Sequence, residues 1–327
     1  MKAAWFTEQG PAADVLKVGD MPEAAPGPGE VKVRIRASGV NPTDTYTRGG
    51  TRVRGMTFER IIPHQDGAGI IEAVGTGVPR ERVGERVWLY MAQWQRPFGT
   101  AAQYCVLPAE RAVRLPDKCG FNEGASLGVP WLTAYYAVHC DGPVAGKSIL
   151  VAGGTGAVGY YAVQIAKLAG ARVIATVGSA EKGRTAKAAG ADEVIDFRAE
   201  DVGARLQALT QGKGVERILE AQFARNAPLY PKMLAKKGTV VVYGAGGAEG
   251  TIPAGWGIQN QPTLRFFIMY ELPPEWYPRI TTEFTALETQ GKLRHLPVRE
   301  FPLERIAEAH EAVEKGNSGV RMVVTLP

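Results

Sequence analysis

Three glycines near the middle of the chain have the spacing of a dinucleotide-binding turn. Gly154, Gly156 and Gly159 form a GxGxxG pattern. The first glycine permits a tight turn, the second lets a pyrophosphate approach the backbone, and the third lets helix and strand pack closely. A phosphate held there lies at a helix N-terminus, where free N–H groups and the helix dipole favour an anion. The motif predicts contact with a ligand through the whole turn: Gly154, Thr155, Gly156, Ala157, Val158 and Gly159.

The segments on either side of the glycines support this interpretation. An apolar, strand-like run at 149–151 precedes them, and a helical pattern of apolar residues follows them. A second strand at 172–177 completes a βαβ unit. The alternative is a tight strand-to-helix turn that holds no ligand, and the motif alone leaves that alternative open.

The rest of the chain divides into two patterns. Residues 1 to about 120 contain short alternating runs between Gly and Pro turns, which predict a β-rich domain with strands at 30–40, 68–74, 85–89 and 101–107. After residue 177, strands at 193–196, 218–219 and 239–243 alternate with helices at 180–190, 199–209 and 227–235. This order predicts a parallel sheet in a Rossmann-type domain. The C-terminal part predicts a strand at 264–270, helices at 274–289 and 303–313, and a strand at 320–326.

Composition restricts the classes of function. With 327 residues, 45% of them hydrophobic and 22% charged, the chain suits two globular domains. Its net charge of +5 is scattered, so no nucleic-acid-binding arm is indicated. Three widely spaced cysteines argue against a disulfide framework and against a cysteine-rich metal site. The N-terminus lacks the apolar core of a signal peptide, and no apolar run approaches the ~18 residues of a membrane span, so we expect a cytoplasmic protein.

Taken together, the motifs resemble those of one enzyme family. The ordered segments 38–46, 66–69, 83–88, 130–135, 153–159 and 321–324 are similar to a zinc-free medium-chain dehydrogenase/reductase of the quinone oxidoreductase (zeta-crystallin-like) group. The resemblance implies an α/β architecture with two domains. A GroES-like catalytic domain of residues 1–121 and 265–327 accompanies a Rossmann NADPH-binding domain of residues 122–264.

The resemblance also bears on metal binding. Zinc-dependent relatives supply a Cys, a His and a further Cys or Glu at the positions that Asn41, Gln65 and Val129 occupy here. None of these three is a good zinc ligand, so no catalytic metal is expected. His64 is adjacent to Gln65, and we interpret it as structural or pocket-lining. The four-cysteine lobe that holds a structural zinc in relatives is missing as well.

Two polar residues after the best-patterned strand are candidates for contact with the substrate. From the resemblance we expect Asn41 and Tyr46 to hydrogen-bond a substrate carbonyl and to stabilise negative charge that develops on its oxygen. A plain structural interpretation stays open. In that case Asn41 and Pro42 form a turn, and Thr43 or Asp44 caps a short helix.

The end of the strand at 172–177 distinguishes NADPH from NADH. An NAD enzyme usually carries an Asp or Glu there, whereas this chain has no carboxylate at the strand tip. Ser179 and Lys182, with Arg184 as a further candidate, are placed to receive a 2′-phosphate, and similar family members use a lysine at the position of Lys182. The alternative is a solvated helix start with Glu181 in its first turn. The cofactor is therefore expected to be NADPH. The remaining expected contacts are Phe197 beside the adenine, Tyr243 and Gly244 at another strand end, and Arg321 near the C-terminus.

The leading hypothesis is an NADPH-dependent quinone oxidoreductase that transfers hydride to a quinone without zinc. The closest alternative is an NADPH-dependent reductase of the double bond of an enone or enal. An alternative of another class is a non-enzymatic role in RNA binding or as a crystallin. We expect a homodimer, and the run at 266–269 is a candidate for its edge, for the border of the nicotinamide site or for an apolar core strand.

Overall fold

The computed structural model describes residues 1–51, 54–316 and 319–327. The described residues form fifteen strands. In chain order these are β1 (Lys2–Trp5), β2 (Lys17–Asp20), β3 (Glu30–Gly39), β4 (Asp66–Val74), β5 (Arg86–Leu89), β6 (Tyr104–Pro108), β7 (Ala112–Arg114), β8 (Ser148–Val151), β9 (Arg172–Val177), β10 (Glu193–Asp196), β11 (Val215–Glu220), β12 (Leu234–Val242), β13 (Thr263–Phe266), β14 (Val298–Pro302) and β15 (Arg321–Thr325).

Helices connect most of these strands. The α-helices of the described residues are α1 (Ala12–Val15), α2 (Pro42–Gly49), α3 (Phe121–Gly124), α4 (Gly128–His139), α5 (Ala157–Leu168), α6 (Ala180–Ala188), α7 (Val202–Leu209), α8 (Phe223–Asn226), α9 (Tyr230–Met233), α10 (Ala254–Asn260), α11 (Trp276–Thr289) and α12 (Ile306–Lys315). Short 3₁₀ turns cover Arg80–Arg82, Ala109–Arg111, Ala227–Leu229, Met269–Glu271 and Leu303–Arg305.

The chain divides into two compact units. One contains Met1–Val129 and Thr281–Pro327, and the other contains Pro130–Ile280. The domain limits proposed from the sequence, 121/122 and 264/265, stay a prediction about functional domains.

The first unit is built on a mixed sheet of seven strands. Its order is β14-β15-β3-β4-β5-β7, with β6 also paired to β3. All pairs are antiparallel except β14 with β15. In β3 the apolar residues Val31, Val33 and Ile35 are fully buried, which is the outcome expected when side chains alternate across a half-buried strand. The C-terminal strand β15 pairs with β3, so the end of the chain completes the sheet that its beginning forms.

The second unit is a parallel sheet of six strands in the order β10-β9-β8-β11-β12-β13. Its central strand β8 is almost entirely buried, with Ile149 and Val151 at 0% exposure. Near-continuous apolar strands of this kind are typical of parallel sheets that helices cover on both faces. The order changes direction between β8 and its neighbours β9 and β11, and this is where such sheets bind nucleotides.

Most of the predicted elements are present, and three differ for identifiable reasons. The predicted helix 227–235 is a short 3₁₀ turn and the four-residue helix α9, since Pro228 and Pro231 interrupt a continuous helix and β12 already begins at Leu234. The predicted strand 264–270 ends at Phe266, close to the end of its partner β12 at Val242. The strand predicted at 101–107 begins only at Tyr104, although Ala102 forms an isolated bridge with Ala3.

Among the described residues, no helix combines the length and the apolar character that crossing a membrane requires.

Candidate active site

The glycine turn joins β8 to α5, and its three motif glycines are under different packing constraints. A Cβ added at Gly154 would lie 2.6 Å from Ala175 Cβ, and one added at Gly159 would lie 2.2 Å from the Gly153 carbonyl oxygen. Both positions therefore need glycine for packing alone. At Gly156 the nearest atom would be 3.4 Å away, and the backbone there has φ −70° and ψ 165°, which any residue can adopt. Packing does not explain the glycine at 156, whereas a closely approaching ligand does.

The start of α5 offers backbone donors to such a ligand. Gly156 is the N-cap of the helix, and none of the described side chains caps it. The first hydrogen bond of the helix runs from Tyr160 N–H to the Gly156 carbonyl at 2.9 Å. The N–H groups of Ala157, Val158 and Gly159 precede that bond, and the first turn of any helix leaves such groups available for an anion. This arrangement fits a pyrophosphate.

Polar and aromatic side chains surround the tip of β9. Ser179 caps α6, and its hydroxyl accepts a hydrogen bond from the Lys182 backbone at 3.3 Å. Burial, together with the nearby Arg198, lowers the pKa of Lys182. A Cβ added at Gly178 would lie 2.9 Å from Phe197 Cζ and 3.4 Å from Arg198 Nε, so Arg198 lies at this strand end too. Arg198 was not among the residues predicted from the sequence, although its place directly after β10 and Phe197 was a usable signal.

Two cations near a hydroxyl fit a phosphate monoester better than a ribose hydroxyl. The carboxylate of Glu181 lies close enough to raise the pKa of Lys182, but it follows the cap and is not at the strand tip. Phe197 is 50% exposed and presents an aromatic face beside these groups. The predicted residues Ser179, Lys182 and Phe197 thus lie together, with Arg198 as an addition.

The end of β12 contains a second set of predicted residues. Gly244 needs glycine for packing, because an added Cβ would lie 2.2 Å from the Ala221 carbonyl oxygen. The hydroxyl of Tyr243 is buried and has no hydrogen-bond partner in the part of the chain that the structure describes. Burial and the nearby Glu220 carboxylate raise the pKa of Tyr243. A buried hydroxyl without a partner is uncommon in folded proteins, and a bound ligand would satisfy it.

In the first unit, Asn41 is buried and is hydrogen-bonded to several other residues. It is 1% exposed and precedes α2 as the N-cap, where its backbone N–H donates to the Asp44 carboxylate at 2.7 Å. Its side-chain nitrogen donates to Asp66 Oδ2 at 2.7 Å, and its side-chain oxygen accepts from Arg321 at 2.9 Å. Both polar atoms of the Asn41 amide are therefore engaged within the protein. The helix cap is Asn41, with Asp44 as its partner in the first turn.

The Asp66 carboxyl group connects Asn41, and through it Arg321, to the first turn of α4 by hydrogen bonds. Both of its carboxyl oxygens lie 2.9 Å from the Val129 backbone N–H, which donates to them. Burial raises the pKa of Asp66 to about 7, although the Asn41 and Val129 donors and the nearby Arg321 charge act in the opposite direction. Burial also raises the pKa of Asp44 well above its ordinary value. The predicted residues Asn41 and Arg321 meet here, and Asp66 is a member that the sequence analysis named only as part of a motif.

Tyr46 differs from Asn41 in its surroundings. It lies on α2 with 46% of its surface exposed, and its hydroxyl has no hydrogen-bond partner among the described residues. A phenol in this setting can reach a bound molecule without breaking an internal contact.

The three positions that the resemblance assigns to zinc ligands do not fit the metal. The Asn41 amide faces Asp66 and Arg321, and Gln65 donates through its side chain to Gln93 Oε1 at 3.0 Å. The third position, Val129, has an alkyl side chain. Zinc prefers thiolate, imidazole and carboxylate ligands, and this trio offers none of them.

His64 is part of a buried chain of hydrogen bonds. Its Nδ1 lies 2.7 Å from Ser38 Oγ, and its Nε2 lies 2.9 Å from Nε2 of His310. Ser38 Oγ is in turn 2.7 Å from Thr100 Oγ1, which donates to the Asp66 carbonyl at 2.5 Å. Both imidazoles are fully buried, and burial lowers the pKa of His64 to about 3. His64 is therefore a neutral, hydrogen-bonded core residue.

Comparison with known protein families follows the same division of the chain. Residues 27–117 match the family model described as "Alcohol dehydrogenase GroES-like domain", and residues 157–285 match the one described as "Zinc-binding dehydrogenase". The first covers much of the β-rich unit, and the second begins in the glycine turn.

Two relatives that match over nearly their whole length are named quinone oxidoreductase. The chain is 30% identical over 315 residues to a human quinone oxidoreductase, with 96% of this chain and 94% of the relative covered. It is 34% identical over 310 residues to a quinone oxidoreductase of Pseudomonas aeruginosa, with 91% of each covered.

Solved structures agree on the fold. An Escherichia coli quinone oxidoreductase complexed with NADPH superposes with a TM-score of 0.88 at 26% identity, with all of both chains covered. The structure of an NAD-dependent alcohol dehydrogenase superposes with a TM-score of 0.90 at 29% identity, again over both whole chains. The CurK enoyl reductase reaches 0.87 at 25% identity, over all of this chain and 99% of the other. The fold is thus that of an oxidoreductase with a GroES-like part and a Rossmann part.

Proposed function

The chain belongs to the medium-chain dehydrogenase/reductase family, in its quinone oxidoreductase group, and we propose that it is an NADPH-dependent quinone oxidoreductase. The observation that carries the choice of cofactor is the end of β9. Ser179, Lys182 and Arg198 lie there together, and the strand tip has no carboxylate. A carboxylate would hydrogen-bond a free ribose hydroxyl and repel a 2′-phosphate, whereas cations attract that phosphate.

We propose that the rest of the cofactor binds along the same sheet edge. The turn of Gly154, Thr155, Gly156, Ala157, Val158 and Gly159 would receive the pyrophosphate, as the open position at Gly156 and the uncapped start of α5 support. Phe197 would cover the adenine, and the unpaired hydroxyl of Tyr243 together with the Gly244 backbone would contact the part of the cofactor nearest to β12. Bound NADPH supplies the hydride, and these residues hold and orient it.

For the acceptor we assign different roles to the two predicted residues. Tyr46 is proposed to hydrogen-bond an oxygen of the acceptor, since its exposed hydroxyl is free to do so. The amide of Asn41 is engaged by Asp66 and Arg321, which supports a positioning role at the start of the helix that carries Tyr46. Direct contact of Asn41 with the acceptor, and of Arg321 with the cofactor, stays a prediction. A quinone is strongly electrophilic, so hydrogen bonding without a metal suffices for hydride transfer.

The test is oxidation of NADPH with a panel of quinones in metal-free buffer. We expect turnover with NADPH that a chelator does not reduce, and much weaker turnover with NADH. Activity that disappears on chelation, or activity with NADH alone, would contradict the proposal.

A second candidate acceptor is the conjugated double bond of an enone or enal. The similarity to an enoyl reductase favours keeping it, because that protein shares the fold of this chain. Product analysis separates the two candidates. A saturated ketone or aldehyde formed from an enone, faster than a hydroquinone is formed from a quinone, would support the double-bond reductase.

We also propose that the protein is cytoplasmic and that it forms a homodimer. The three cysteines are free thiols, which suits the reducing cytoplasm. A homodimer is proposed through the edge strand β13, where Leu264 is 38% and Phe266 59% exposed. Exposed apolar side chains on an edge strand, which is paired on one side only, favour association with a second copy.

A further inference from the structure

Three side chains with metal-ligand chemistry meet in the first unit, and none of them belongs to the site described above. Cys119 lies in the loop between β7 and α3, Glu288 in the last turn of α11, and His295 between α11 and β14. One ligand atom from each, a thiol sulfur, a carboxylate oxygen and an imidazole nitrogen, lies within 4.8 Å of the other two. His295 Nε2 is 3.1 Å from Glu288 Oε2.

Two of the three groups are buried, and their polar atoms point into the cluster. Cys119 is 2% and Glu288 8% exposed. The Cys119 thiol has no hydrogen-bond partner in the part of the chain that the structure describes, although it lies beside the Glu288 carboxylate. The Glu123 carboxylate adds negative potential at the thiol, and the Arg86 guanidinium opposes it. His295 is the hydrogen-bond partner of the Glu288 carboxylate, and a cation bound to these two groups and the thiol would further neutralise the negative charge of this buried cluster.

The backbone around the thiol is held in place. Cys119 N–H donates to the Pro116 carbonyl at 2.9 Å, and the Cys119 carbonyl accepts from Arg86 at 2.7 Å. The Glu288 carbonyl accepts from the Gly291 N–H at 2.9 Å, in the turn that leads to His295. The ligand atoms are therefore positioned by folded structure on both sides of the cluster.

We propose that Cys119, Glu288 and His295 bind one borderline divalent cation, best matched by Zn²⁺, with water as the fourth ligand. Zn²⁺ accepts sulfur, nitrogen and oxygen ligands in a tetrahedron, whereas Mg²⁺ and Ca²⁺ prefer oxygen alone. Tetrahedral bonds of roughly 2.0–2.3 Å put ligand atoms roughly 3.3–3.8 Å apart, so small side-chain rotations close the site. Binding converts the Cys119 thiol to a thiolate and releases its proton to solvent.

The proposed site is structural and separate from catalysis. It would fasten the loop before α3 to the segment after α11, two parts of the chain that are far apart in sequence. The sequence gives no local motif for it, because no two of the three residues have a spacing typical of zinc ligands. The expected absence of a catalytic metal concerns other positions, namely Asn41, Gln65 and Val129.

Cobalt is the probe, since Co²⁺ occupies zinc sites and reports a thiolate ligand by a near-ultraviolet charge-transfer band. The full-length chain is stripped with a chelator and titrated with Co²⁺ alone. We expect the band to saturate at one equivalent, to be absent in Cys119→Ser and to be retained in Cys140→Ser, a half-buried cysteine of the other unit. No thiolate band in the wild-type chain, or a band that persists in Cys119→Ser, would overturn the proposal.

A second measurement covers the case in which Cys119→Ser fails to fold. His295 is only partly buried, so His295→Gln is a milder change. Competition with a chromophoric chelator should give a Zn²⁺ affinity at least about tenfold weaker for His295→Gln than for the wild-type chain, since even the loss of a supporting partner weakens metal binding by that much. Equal affinities for the two chains would overturn the assignment of this ligand set.

Discussion

At the scale of single residues, the glycines of the β8–α5 turn are needed for two different reasons, one for packing and one for contact with a ligand. Gly159 has no room for a Cβ, whereas Gly156 has room and an ordinary backbone conformation. We predict that Gly156→Ala folds with a melting temperature close to that of the wild-type chain but has a clearly raised KM for NADPH. The matched variant Gly159→Ala should lose about 1–3 kcal/mol of stability, the usual cost of overpacking. Thermal unfolding and steady-state kinetics check both statements, and an unchanged KM in Gly156→Ala would contradict the proposed pyrophosphate contact.

The choice of cofactor depends on Lys182 and Arg198. Removing one cation from a phosphate contact costs about 1.5–3 kcal/mol, which corresponds to about a 10- to 150-fold change in affinity. We therefore expect Lys182→Ala and Arg198→Ala each to raise the KM for NADPH by about that factor and to leave the KM for NADH nearly unchanged. Lys187→Ala, an exposed lysine on the same helix, is the control. Equal effects on both cofactors would rule out 2′-phosphate recognition by these side chains.

Residue roles were only partly predictable from the sequence. The glycine spacing and Lys182 were recognisable because their meaning depends on neighbours close by in the chain. Asn41 was recognisable as a special position, but its partner Arg321 lies 280 residues away, and no local pattern reveals that pairing. Arg198 was missed for a related reason, since strands β9 and β10 bring it to Lys182 only in the folded sheet.

At the scale of elements, the start of α2 is fastened by a buried carboxyl group that can change its charge. Burial raises the pKa of Asp66 to about 7, whereas an aspartate in the unfolded chain titrates near 3.9. Between these values the folded chain holds a proton that the unfolded chain has released. The contribution of Asp66 to stability is thus complete below pH ~4 and falls as the pH rises towards 7.

Asp66→Asn tests this linkage because an amide mimics the protonated carboxyl group. We expect the stability of the wild-type chain minus that of Asp66→Asn to fall with rising pH between about 4 and 7, by at most about 1.4 kcal/mol per pH unit. Taking the difference cancels the titrating groups that Asp66 does not influence, including His64, which acts in the opposite sense. The charge of Asp66 raises the pKa of the neighbouring Asp44, so that part of the Asp44 titration belongs to the difference. Denaturant unfolding at several pH values measures it, and a flat or rising difference would contradict the raised pKa.

The hydrogen-bonded chain between β3 and α12 has a defined direction. Thr100 must donate to the Asp66 carbonyl, so Ser38 donates to Thr100 and accepts from Nδ1 of His64. His64 Nε2 is then the acceptor for Nε2–H of His310. We predict that nitrogen-15 NMR finds His64 as the neutral Nδ1–H tautomer and His310 as the neutral Nε2–H tautomer at pH 6. A doubly protonated ring at either position would contradict this order.

Whether a segment is a helix or a strand could be predicted from the sequence more reliably than the residues at which it begins and ends. The strand β3 and the unit β8-α5-β9 were predicted because period and turn signals agree along the whole segment. The 227–235 segment has a helical composition, yet Leu234 is drawn into β12 by its pairing with Val215. Such pairing is a tertiary effect, and local propensity does not contain it.

At the scale of the whole molecule, the six-stranded sheet ends at the edge strand β13, whose outer side pairs with no other strand among the described residues. β13 pairs with β12 on one side, and Leu264 and Phe266 are exposed on it. We predict that sedimentation equilibrium gives the mass of two 35.1 kDa chains for the wild type and of one chain for Phe266→Lys, because a charge on an edge strand opposes pairing. Leu168→Lys is the matched control, since Leu168 is 48% exposed but lies on α5 and not on the strand. It should remain dimeric. A Phe266→Lys variant that is folded and still dimeric would exclude this edge as the interface, and a monomeric wild-type chain would exclude the dimer itself.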